Sequence, residues 1–544
     1  MPEKSKPTIK PLGVSHLIQD SSNLPIEESV LETDVCILGG GVAGLTLALE
    51  MRNLAKDLII LEGGGRSFDT RSQELYTASK ENRTQYPDPR FSRLRFLGGS
   101  SNHWANNTSP LDPFDFEVRE DIPHTGWPIT HQELAPYYSA ASRYCGLGND
   151  DYSIETWSLR LKSKDPVEGS DILATGIAKA AVPATRFFER WGDGLTNARN
   201  VRIITNANVC DMGFEPLNGI VDTVQFASKE GVQFKVHAKF FVMCLGGIEN
   251  ARMLLFFNKN HKDAIGNQND LVGRFFMDHP MVRGALFYPN NPESFNLYRG
   301  GDFDNLHALG YMKLNPSCLV ENRICNVRMP LEPVSRLAMS DGVSSLHIIS
   351  KEIGDFSLPD EIGQHVANIA RDIDMVGEAL SRKFFGAELF DSADEVEAYY
   401  LAMMTEQTPN RNNRIFLGPD LDVYGVPKIK IEWRVSEEDR VRLWRALEIA
   451  GREIGRLGLG RLRLLRERSS RLWGDQLGFG HHHMGTTRMG FDSESGVVDR
   501  DLRVFGTQNL FVSGSSVFPT GGHVPPTLTI AALSIRLASH LRDS

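Results

Sequence analysis

Cysteine is scarce in this sequence, and the few cysteines lie far apart. Six occur among 544 residues, and the closest pair, Cys318 and Cys325, is separated by seven positions. Iron–sulfur clusters and structural zinc sites need close-spaced ligands, and these cysteines match no such pattern. The spacing favours buried, reduced thiols and predicts neither a metal site nor an intrinsic iron–sulfur relay.

Long apolar runs and an excess of positive charge are also absent. The first thirty residues hold no apolar segment of signal-peptide length, and no later stretch approaches the ~18 apolar residues of a membrane span. A cytoplasmic protein without a membrane span is the expectation, and export with a signal-bearing partner subunit stays open. The formal net charge of −10 creates no positive field for a phosphate backbone, so nucleic acid is a poor candidate as a partner.

The length and composition are those of a folded chain with more than one domain. Hydrophobic residues make up 41% and charged residues 24% of the sequence, which is typical of globular proteins. A single core usually splits beyond about 250–300 residues. The 544 residues therefore predict two domains in one continuous body.

A nucleotide-binding pattern follows the first apolar strand. Residues 34–44, DVCILGGGVAG, place Gly39, Gly41 and Gly44 in a G-x-G-x-x-G spacing ahead of the helical pattern LTLALEMRN. The first glycine permits a tight turn, the second lets the backbone approach a pyrophosphate, and the third lets helix and strand pack closely. A second strand, LIILEGG, ends at Glu62, where a carboxylate can accept hydrogen bonds from a ribose diol. The pattern predicts a Rossmann-like α/β fold, but it does not separate FAD from NAD.

Three further segments point to a family. Residues 97–110 read LGGSSNHWANNTSP, residues 480–490 read GHHHMGTTRMG, and residues 509–535 read NLFVSGSSVFPTGGHVPPTLTIAALSI. With the nucleotide site, and with VGRFFMDHP at 272–280, they resemble the glucose–methanol–choline (GMC) oxidoreductases. The nearest branch contains the pyranose oxidases and bacterial sugar dehydrogenases. The resemblance runs from about residue 31 to the carboxyl terminus and implies FAD as the cofactor, because an NAD-dependent dehydrogenase would leave the carboxyl-terminal motifs without a role.

The resemblance also implies a discontinuous layout within an α/β fold. Residues 31–110, 200–280 and 490–544 are expected to form the FAD-binding domain. Residues 111–199 and 281–489 are expected to form a substrate-binding domain whose sheet covers the flavin, and residues 1–30 an amino-terminal extension. The residues themselves agree in part, since VRIITNANV and FKVHAKFFVM have the composition of strands, and residues 436–458 have helical spacing.

Contacts with FAD are implied residue by residue. The residues expected to touch the dinucleotide are Gly39, Gly41, Gly44, Glu62, Gly98, Gly99, Ser100, Asn102, His103, Val209, Gly514, Ser515 and Thr527. In pyranose oxidases the histidine that matches His103 is bonded covalently to the 8α-methyl carbon of the flavin. Related dehydrogenases carry a histidine in that region without the bond, so covalent and non-covalent FAD both remain open.

The catalytic base is expected within the histidine-rich segment. Oxidation of an alcohol removes a hydroxyl proton and a hydride, and histidine can accept a proton near neutral pH. In the family pattern H-x-M-G the catalytic histidine precedes the methionine by two positions, which is His482 before Met484. Consecutive histidines seldom converge on one metal, so the flanking His481 and His483 predict no metal site.

The second catalytic position of the family is altered. The column that usually holds a histidine or asparagine before Pro-Thr-Leu-Thr holds Pro525, which has no side-chain donor and no backbone N–H. His523, two positions earlier, is a candidate replacement, and His482 acting alone is the other possibility.

Three functional hypotheses result. The first is FAD-dependent oxidation of an alcohol group of a sugar, glycoside or polyol, with dioxygen, a quinone or a redox protein as electron acceptor. The alternative is a tailoring enzyme of the same fold that catalyses a desaturation or elimination, which the proline at position 525 motivates. The third is a non-enzymatic flavin-binding subunit, which would not need the histidine at position 482.

Overall fold

The computed structural model describes residues 18–79, 86–261, 264–354, 357–385, 388–390, 395–465 and 477–544. The first seventeen residues of the predicted amino-terminal extension lie outside these ranges. The described residues form two large sheets with helices packed against them, and a small two-stranded sheet. The predicted α/β class with a Rossmann-like sheet is confirmed.

The strands of the described ranges, in chain order, are β1 (Ile18–Asp20), β2 (Val30–Leu38), β3 (Leu58–Leu61), β4 (Leu173–Ala181), β5 (Val201–Thr205), β6 (Asn208–Glu215), β7 (Ile220–Ala227), β8 (Gln233–Met243), β9 (Pro280–Pro289), β10 (Gly301–Phe303), β11 (Leu306–Leu314), β12 (Val327–Met329), β13 (Leu331–Ser335), β14 (Val396–Thr405), β15 (Arg414–Leu421), β16 (Pro427–Glu432), β17 (Gly460–Leu464), β18 (Gly478–Phe479) and β19 (Leu510–Val512).

The α-helices of the same ranges are α1 (Val42–Met51), α2 (Thr70–Gln73), α3 (His131–Tyr144), α4 (Ile154–Leu161), α5 (Phe187–Thr196), α6 (Gly246–His261), α7 (Asn296–Arg299), α8 (Pro316–Asn322), α9 (Arg336–Met339), α10 (Asp341–Gly354), α11 (Ile362–Arg371), α12 (Ile373–Phe385), α13 (Glu437–Arg456) and α14 (Thr527–Asp543). None of these helices is both long enough and apolar enough to cross a membrane.

The first sheet brings three strand ends to one edge. Its order is β1-β5-β3-β2-β8-β7-β6, with β19 beside β8. Five neighbouring strands, β1, β5, β3, β2 and β8, run parallel, and β19 runs parallel to β8. Leu38, the last residue of β2, pairs with Leu61 of β3 and with Met243 of β8. The chain therefore leaves these three buried strands at the same edge, which is where parallel α/β sheets bind ligands.

One predicted strand is split in two. The sequence VRIITNANV has the composition of a strand, and in the structure β5 ends at Thr205 and β6 begins at Asn208. Asn206 between them has a φ of 55°, a left-handed conformation that asparagine tolerates better than most residues. The chain turns there, and β6 continues antiparallel to β7.

The second sheet is antiparallel and lies across from that edge. Its order is β10-β11-β12-β14-β9-β17, with β4 on β11, β13 on β14 and β18 on β9. The long helix α13 packs on its outer face, where Leu443, Trp444 and Leu447 join the same apolar cluster as Phe287 and Met403. This helix confirms the helical spacing of residues 436–458.

The two sheets draw their strands from different parts of the chain. The first uses residues 18–61, 201–243 and 510–512, and the second uses residues 173–181, 280–405 and 460–479. We propose on this basis the discontinuous division into a nucleotide-binding and a substrate-binding domain that the sequence predicts. Strand β1 pairs with β5, so residues 18–20 of the expected extension belong to the sheet of the nucleotide-binding domain.

Candidate active site

A cavity of about 1070 Å³ lies between the two sheets. The glycine-rich turn after β2 and the end of β3 line it from the first sheet, and β9, β12 and β14 line it from the second. The histidine segment 480–483 and the start of α14 complete the wall. The cavity therefore joins the motifs at the two ends of the sequence.

The three glycines of the nucleotide motif have three different environments. Gly39 has a φ of 106°, and a Cβ atom added there would lie 2.7 Å from the carbonyl oxygen of Cys244. A Cβ atom at Gly44 would lie 2.1 Å from the carbonyl oxygen of Gly39, so helix α1 could not pack as it does. A Cβ atom at Gly41 would meet nothing within 4 Å. Gly41 therefore borders open space at the amino terminus of α1, where the free N–H groups attract a phosphate.

Glu62 is held at the edge of the same space. Its Oε2 accepts a hydrogen bond of 2.8 Å from the N–H of Gly40, and its Oε1 accepts one of 2.7 Å from the N–H of Gly64. A carboxylate has about four lone-pair sites, so capacity is left for two ribose hydroxyls. The side chain is buried and lines the cavity, which fits the predicted ribose contact.

The second glycine turn is locked to the first. Gly98 donates its N–H to the carbonyl of Gly40 at 2.8 Å, and the amide of Asn102 donates to the carbonyls of Leu97 and Gly99. Gly98 and Gly99 both have positive φ values, 98° and 56°. Gly98 and Asn102 therefore shape the turn, and the residues next to them face the cavity.

Most of the predicted cofactor contacts meet in this cavity. Those that line it are Gly39, Gly41, Glu62, Gly99, Ser100, His103, Val209, Gly514, Ser515 and Thr527. Gly44, Gly98 and Asn102 do not line it. The open space at Gly41 and the oriented carboxylate of Glu62 fit a dinucleotide such as FAD.

His482 is hydrogen-bonded to a second histidine. Its Nδ1 lies 2.8 Å from the Nδ1 of His279, and the Nε2 of His279 lies 3.0 Å from the carbonyl oxygen of Gly522. A carbonyl only accepts, so His279 carries its proton on Nε2 and presents a lone pair at Nδ1. His482 must then carry its proton on Nδ1, which leaves the Nε2 of His482 as a lone pair. No described residue is bonded to that nitrogen, and His482 lines the cavity.

A buried carboxylate fixes the backbone of both histidines. The Oδ1 of Asp278 accepts from the N–H of His279 at 2.7 Å and from the N–H of His482 at 2.8 Å. Its Oδ2 accepts from the hydroxyl of Tyr86 at 2.6 Å. Burial raises the pKa of Asp278, and these three donors oppose the rise. The side chain thus clamps strand β9 to the histidine segment.

The two histidines are neutral at ordinary pH. Burial lowers the pKa of His482 well below its usual value, and the neighbouring His279 adds to the effect. Burial also lowers the pKa of His279. A neutral His482 with a free Nε2 is in the form that accepts a proton.

His523 occupies a different place from the one expected of a substrate contact. It is fully buried and does not line the cavity. Its Nε2 lies 3.3 Å from the hydroxyl of Tyr311, and its Nδ1 has no hydrogen-bond partner among the residues that the structure describes. Burial lowers the pKa of His523 to about 3. The partly exposed Pro525 lines the cavity, so the structure does not bring His523 to the position that the family column occupies.

Asp112, Asp115 and His523 place ligand-type atoms within 4.8 Å of one another. The ammonium group of Lys313 lies 2.7 Å from both carboxylate oxygens of Asp112. This cation already balances the charge of the Asp112 carboxylate, and we assign no metal ion to the group.

Sequence reasoning missed three residues of the site. Asp278 and His279 stand in the segment VGRFFMDHP, which supported the family resemblance without suggesting a chemical role. Arg328 lines the cavity from β12, and nothing in its sequence surroundings marks it. A lone arginine in a short strand gives no local signal.

Known proteins resemble the chain at both the sequence and the structure level. The GMC oxidoreductase family profile matches residues 409–534. The fructose dehydrogenase large subunit of Gluconobacter japonicus is 23% identical over 94% of this chain and 98% of its own length. The 2-methyl-1,2-propanediol dehydrogenase of Mycolicibacterium austroafricanum is 22% identical over 94% and 95%. Pyridoxine 4-oxidase from Mesorbium loti has the same fold, with a TM-score of 0.57, 19% identity and coverage of 93% and 98%.

Proposed function

Since this chain is a GMC oxidoreductase with FAD as its cofactor, we propose that it oxidises an alcohol group of a sugar, glycoside or polyol to a carbonyl. His482 is the proposed general base. The single observation that carries the assignment is the free Nε2 of His482 in the cavity that the nucleotide motif also lines.

Residues from both ends of the sequence would hold the cofactor. Gly41 and the amino terminus of α1 would bind the pyrophosphate, and Glu62 would bind the ribose. Thr527 begins the last helix, whose amino terminus is directed to the cavity and favours negative charge there. FAD, when bound, supplies the acceptor for the hydride of the alcohol carbon.

The proton is handled by the pair of histidines. The substrate hydroxyl would give its proton to the Nε2 of His482, and the ring would become an imidazolium ion. His279 would accept the hydrogen bond from the Nδ1–H throughout and keep the ring in orientation. Pro525 supplies no donor to the substrate oxygen, so the base works without the second polar residue of the family pattern.

The first test is reduction of the flavin by alcohols without oxygen. The holoenzyme and its His482→Gln variant would be mixed with neutral sugars, sugar acids, glycosides and polyols, and bleaching of the flavin absorbance followed. We expect bleaching by at least one alcohol and a rate about 10²–10⁴-fold lower in the variant, the usual contribution of a general base. His481→Asn is the matched control, because His481 is exposed beside His482 and has a φ of 55° that asparagine tolerates.

The tailoring hypothesis predicts a different outcome. Pro525 in the cavity wall is the observation that favours it. Full turnover of a natural substrate by His482→Gln, or a flavin that no alcohol bleaches, would favour a desaturation or elimination over alcohol oxidation.

Three further experiments accompany the assignment. Reoxidation of the alcohol-reduced enzyme by dioxygen, by a soluble quinone or by a redox protein would identify the electron acceptor class. Acid precipitation would separate the two modes of FAD binding. We expect the colour in the supernatant; colour retained in the pellet, and lost from it in His103→Ala, would show a covalent bond at His103, which lines the cavity. Fractionation of the producing cells would test the proposed cytoplasmic location.

A further inference from the structure

Arg328 is a buried cation that has no anionic partner within the part of the chain that the structure describes. Its residue is 5% exposed, and its Nη1 donates to the side-chain oxygen of Asn107 at 3.2 Å. Among the described residues its Nε and Nη2 have no hydrogen-bond partner, and neither is enclosed by protein. Because Arg328 lines the cavity, these free N–H groups open into it. Burial lowers the pKa of Arg328, as expected for a guanidinium that has lost water and gained no carboxylate.

Two other buried arginines, Arg119 and Arg252, are paired with carboxylates. Arg119 forms two hydrogen bonds with Glu406, at 2.6 and 2.8 Å, and Arg252 lies 2.7 Å from Asp422. A buried charge is ordinarily paired, because desolvation without compensation is costly. The lack of a carboxylate beside Arg328 among the described residues therefore needs an explanation.

The immediate neighbours of Arg328 do not supply the missing charge. Tyr311 places its ring 4.4 Å from the guanidinium carbon. Lys313, which pairs with Arg328 across the sheet, is another cation and is itself neutralised by Asp112. The surroundings of the guanidinium thus retain an uncompensated positive charge.

The position of Arg328 relative to the base suits a substrate contact. Arg328 pairs with Met404, and Met404 pairs with Met281, so the three form a row across β12, β14 and β9. All three line the cavity, and the row continues to Gly478 at the start of the chain segment that leads to His482. Three strand spacings, about 14 Å, separate the two ends of this row. The glycine turns for the nucleotide belong to the other sheet, so Arg328 faces the substrate side.

We propose that Arg328 binds an anionic group of the substrate, so that the preferred alcohol carries a carboxylate or a phosphate in addition to the hydroxyl that is oxidised. The planar guanidinium presents its free N–H groups in the fork geometry that matches both anions. The positive charge also disfavours amino sugars. This assignment rests on the proposed function, because it concerns the substrate of the same cavity.

The test compares substrates that differ in charge. Anaerobic flavin reduction would be measured with D-glucose, D-glucuronate, glucose 6-phosphate and D-glucosamine, and with a set of hydroxy acids and their amides. We expect kcat/KM for at least one acid or phosphate to exceed that of its neutral counterpart about tenfold or more, the size of a charge-assisted hydrogen bond. A preference for the carboxylates or for glucose 6-phosphate identifies which anion is used.

Variants assign the preference to this side chain. Arg328→Met should abolish the preference for the anion through KM, so that kcat/KM falls far more for the anionic alcohols than for their neutral counterparts, with FAD content retained. Arg328→Lys should restore part of the preference, because it keeps the charge and loses the fork. Arg488→Met is the matched control. Arg488 is also buried, and no carboxylate of the described ranges pairs with it, but it donates to the carbonyl of His124 and does not line the cavity.

The outcomes separate the two levels of the proposal. Neutral alcohols that match or exceed all anionic ones, with an unchanged ranking in Arg328→Met, would overturn the role of Arg328 and leave alcohol oxidation standing. A loss of FAD, or an equal loss of rate with every substrate, would assign Arg328 to the cofactor and also overturn it. A flavin that no alcohol of any charge reduces would overturn the proposed function itself.

Discussion

The Nδ1 atoms of His279 and His482 lie 2.8 Å apart, so one of the two rings donates an N–H hydrogen bond to the other. The carbonyl of Gly522 settles the direction, because it accepts from the Nε2 of His279 and leaves the Nδ1 of that ring bare. The Nδ1–H of His482 therefore points to His279, and its Nε2 is free for the substrate. This relation makes His279 a positioning residue that sets the tautomer of His482, the proposed base.

Replacement of His279 should lower the rate without emptying the site. His279→Leu removes the acceptor for the Nδ1–H of His482, so we expect kcat for flavin reduction to fall about 10- to 100-fold, as for other groups that orient a catalytic histidine. His279→Gln should recover part of the rate, because its amide oxygen can accept the same bond. Equal loss in both variants, or a change confined to KM, would contradict the tautomer role.

The acid limb of the rate profile should lie at low pH. The pKa of His482 is lowered well below its usual value by burial and by His279, so the proposed base is unprotonated through the neutral range. Activity is then present above this lowered pKa and is lost only as the pH falls through it. The pH profile of kcat/KM reports ionisations of the free enzyme. It should stay level as the pH falls through 6.5, the ordinary pKa of histidine, and fall only at lower pH. An acid limb at or above pH 6.5 would contradict the assignment. Enzyme returned to pH ~7 after each measurement controls for acid unfolding.

Substitution of two glycines of the nucleotide motif should have different effects, one on FAD binding and the other on stability. Gly41→Ala adds a methyl group to open space, so the apoprotein should lose at most about 1 kcal/mol of stability. The same methyl group would fill the place of the pyrophosphate, and FAD should no longer co-purify. Gly44→Ala presses on the carbonyl of Gly39 and should destabilise the apoprotein by about 1–3 kcal/mol or more. Thermal unfolding of the apoproteins and the flavin content of each preparation would check both. Normal FAD content in Gly41→Ala would contradict the assignment of the pyrophosphate site.

His523 should make the fold sensitive to acid. Its pKa is lowered from 6.5 to about 3 by burial, so the unfolded chain binds the proton first as the pH falls. The stability that His523 contributes is present above pH 6.5 and is lost as the pH falls from there toward 3. Between pH 6.5 and 5 the loss should be about 2 kcal/mol. Urea unfolding of wild type and His523→Gln at these two pH values should show a smaller loss in the variant. Equal losses would show that His523 does not titrate in this way.

The sequence determined the features that depend on neighbours along the chain. The spacing of Gly39, Gly41 and Gly44 predicts a turn between a strand and a helix, and both form there, because the constraint acts within a few residues. The segment around His482 and the start of the last helix at Thr527 were found in the same way, from short motifs that resemble a family.

Only the tertiary structure decided which distant residues share a surface. His279 stands 203 positions before His482, and the two meet because Asp278 clamps β9 to the histidine segment. The role proposed for Arg328 depends on the lack of a carboxylate partner among the described residues, which no local pattern can reveal. His523 and Pro525 are only two positions apart, and the sequence did not predict that His523 is enclosed while Pro525 lines the cavity. Strand pairing and burial fix these relations, and both are properties of the whole fold.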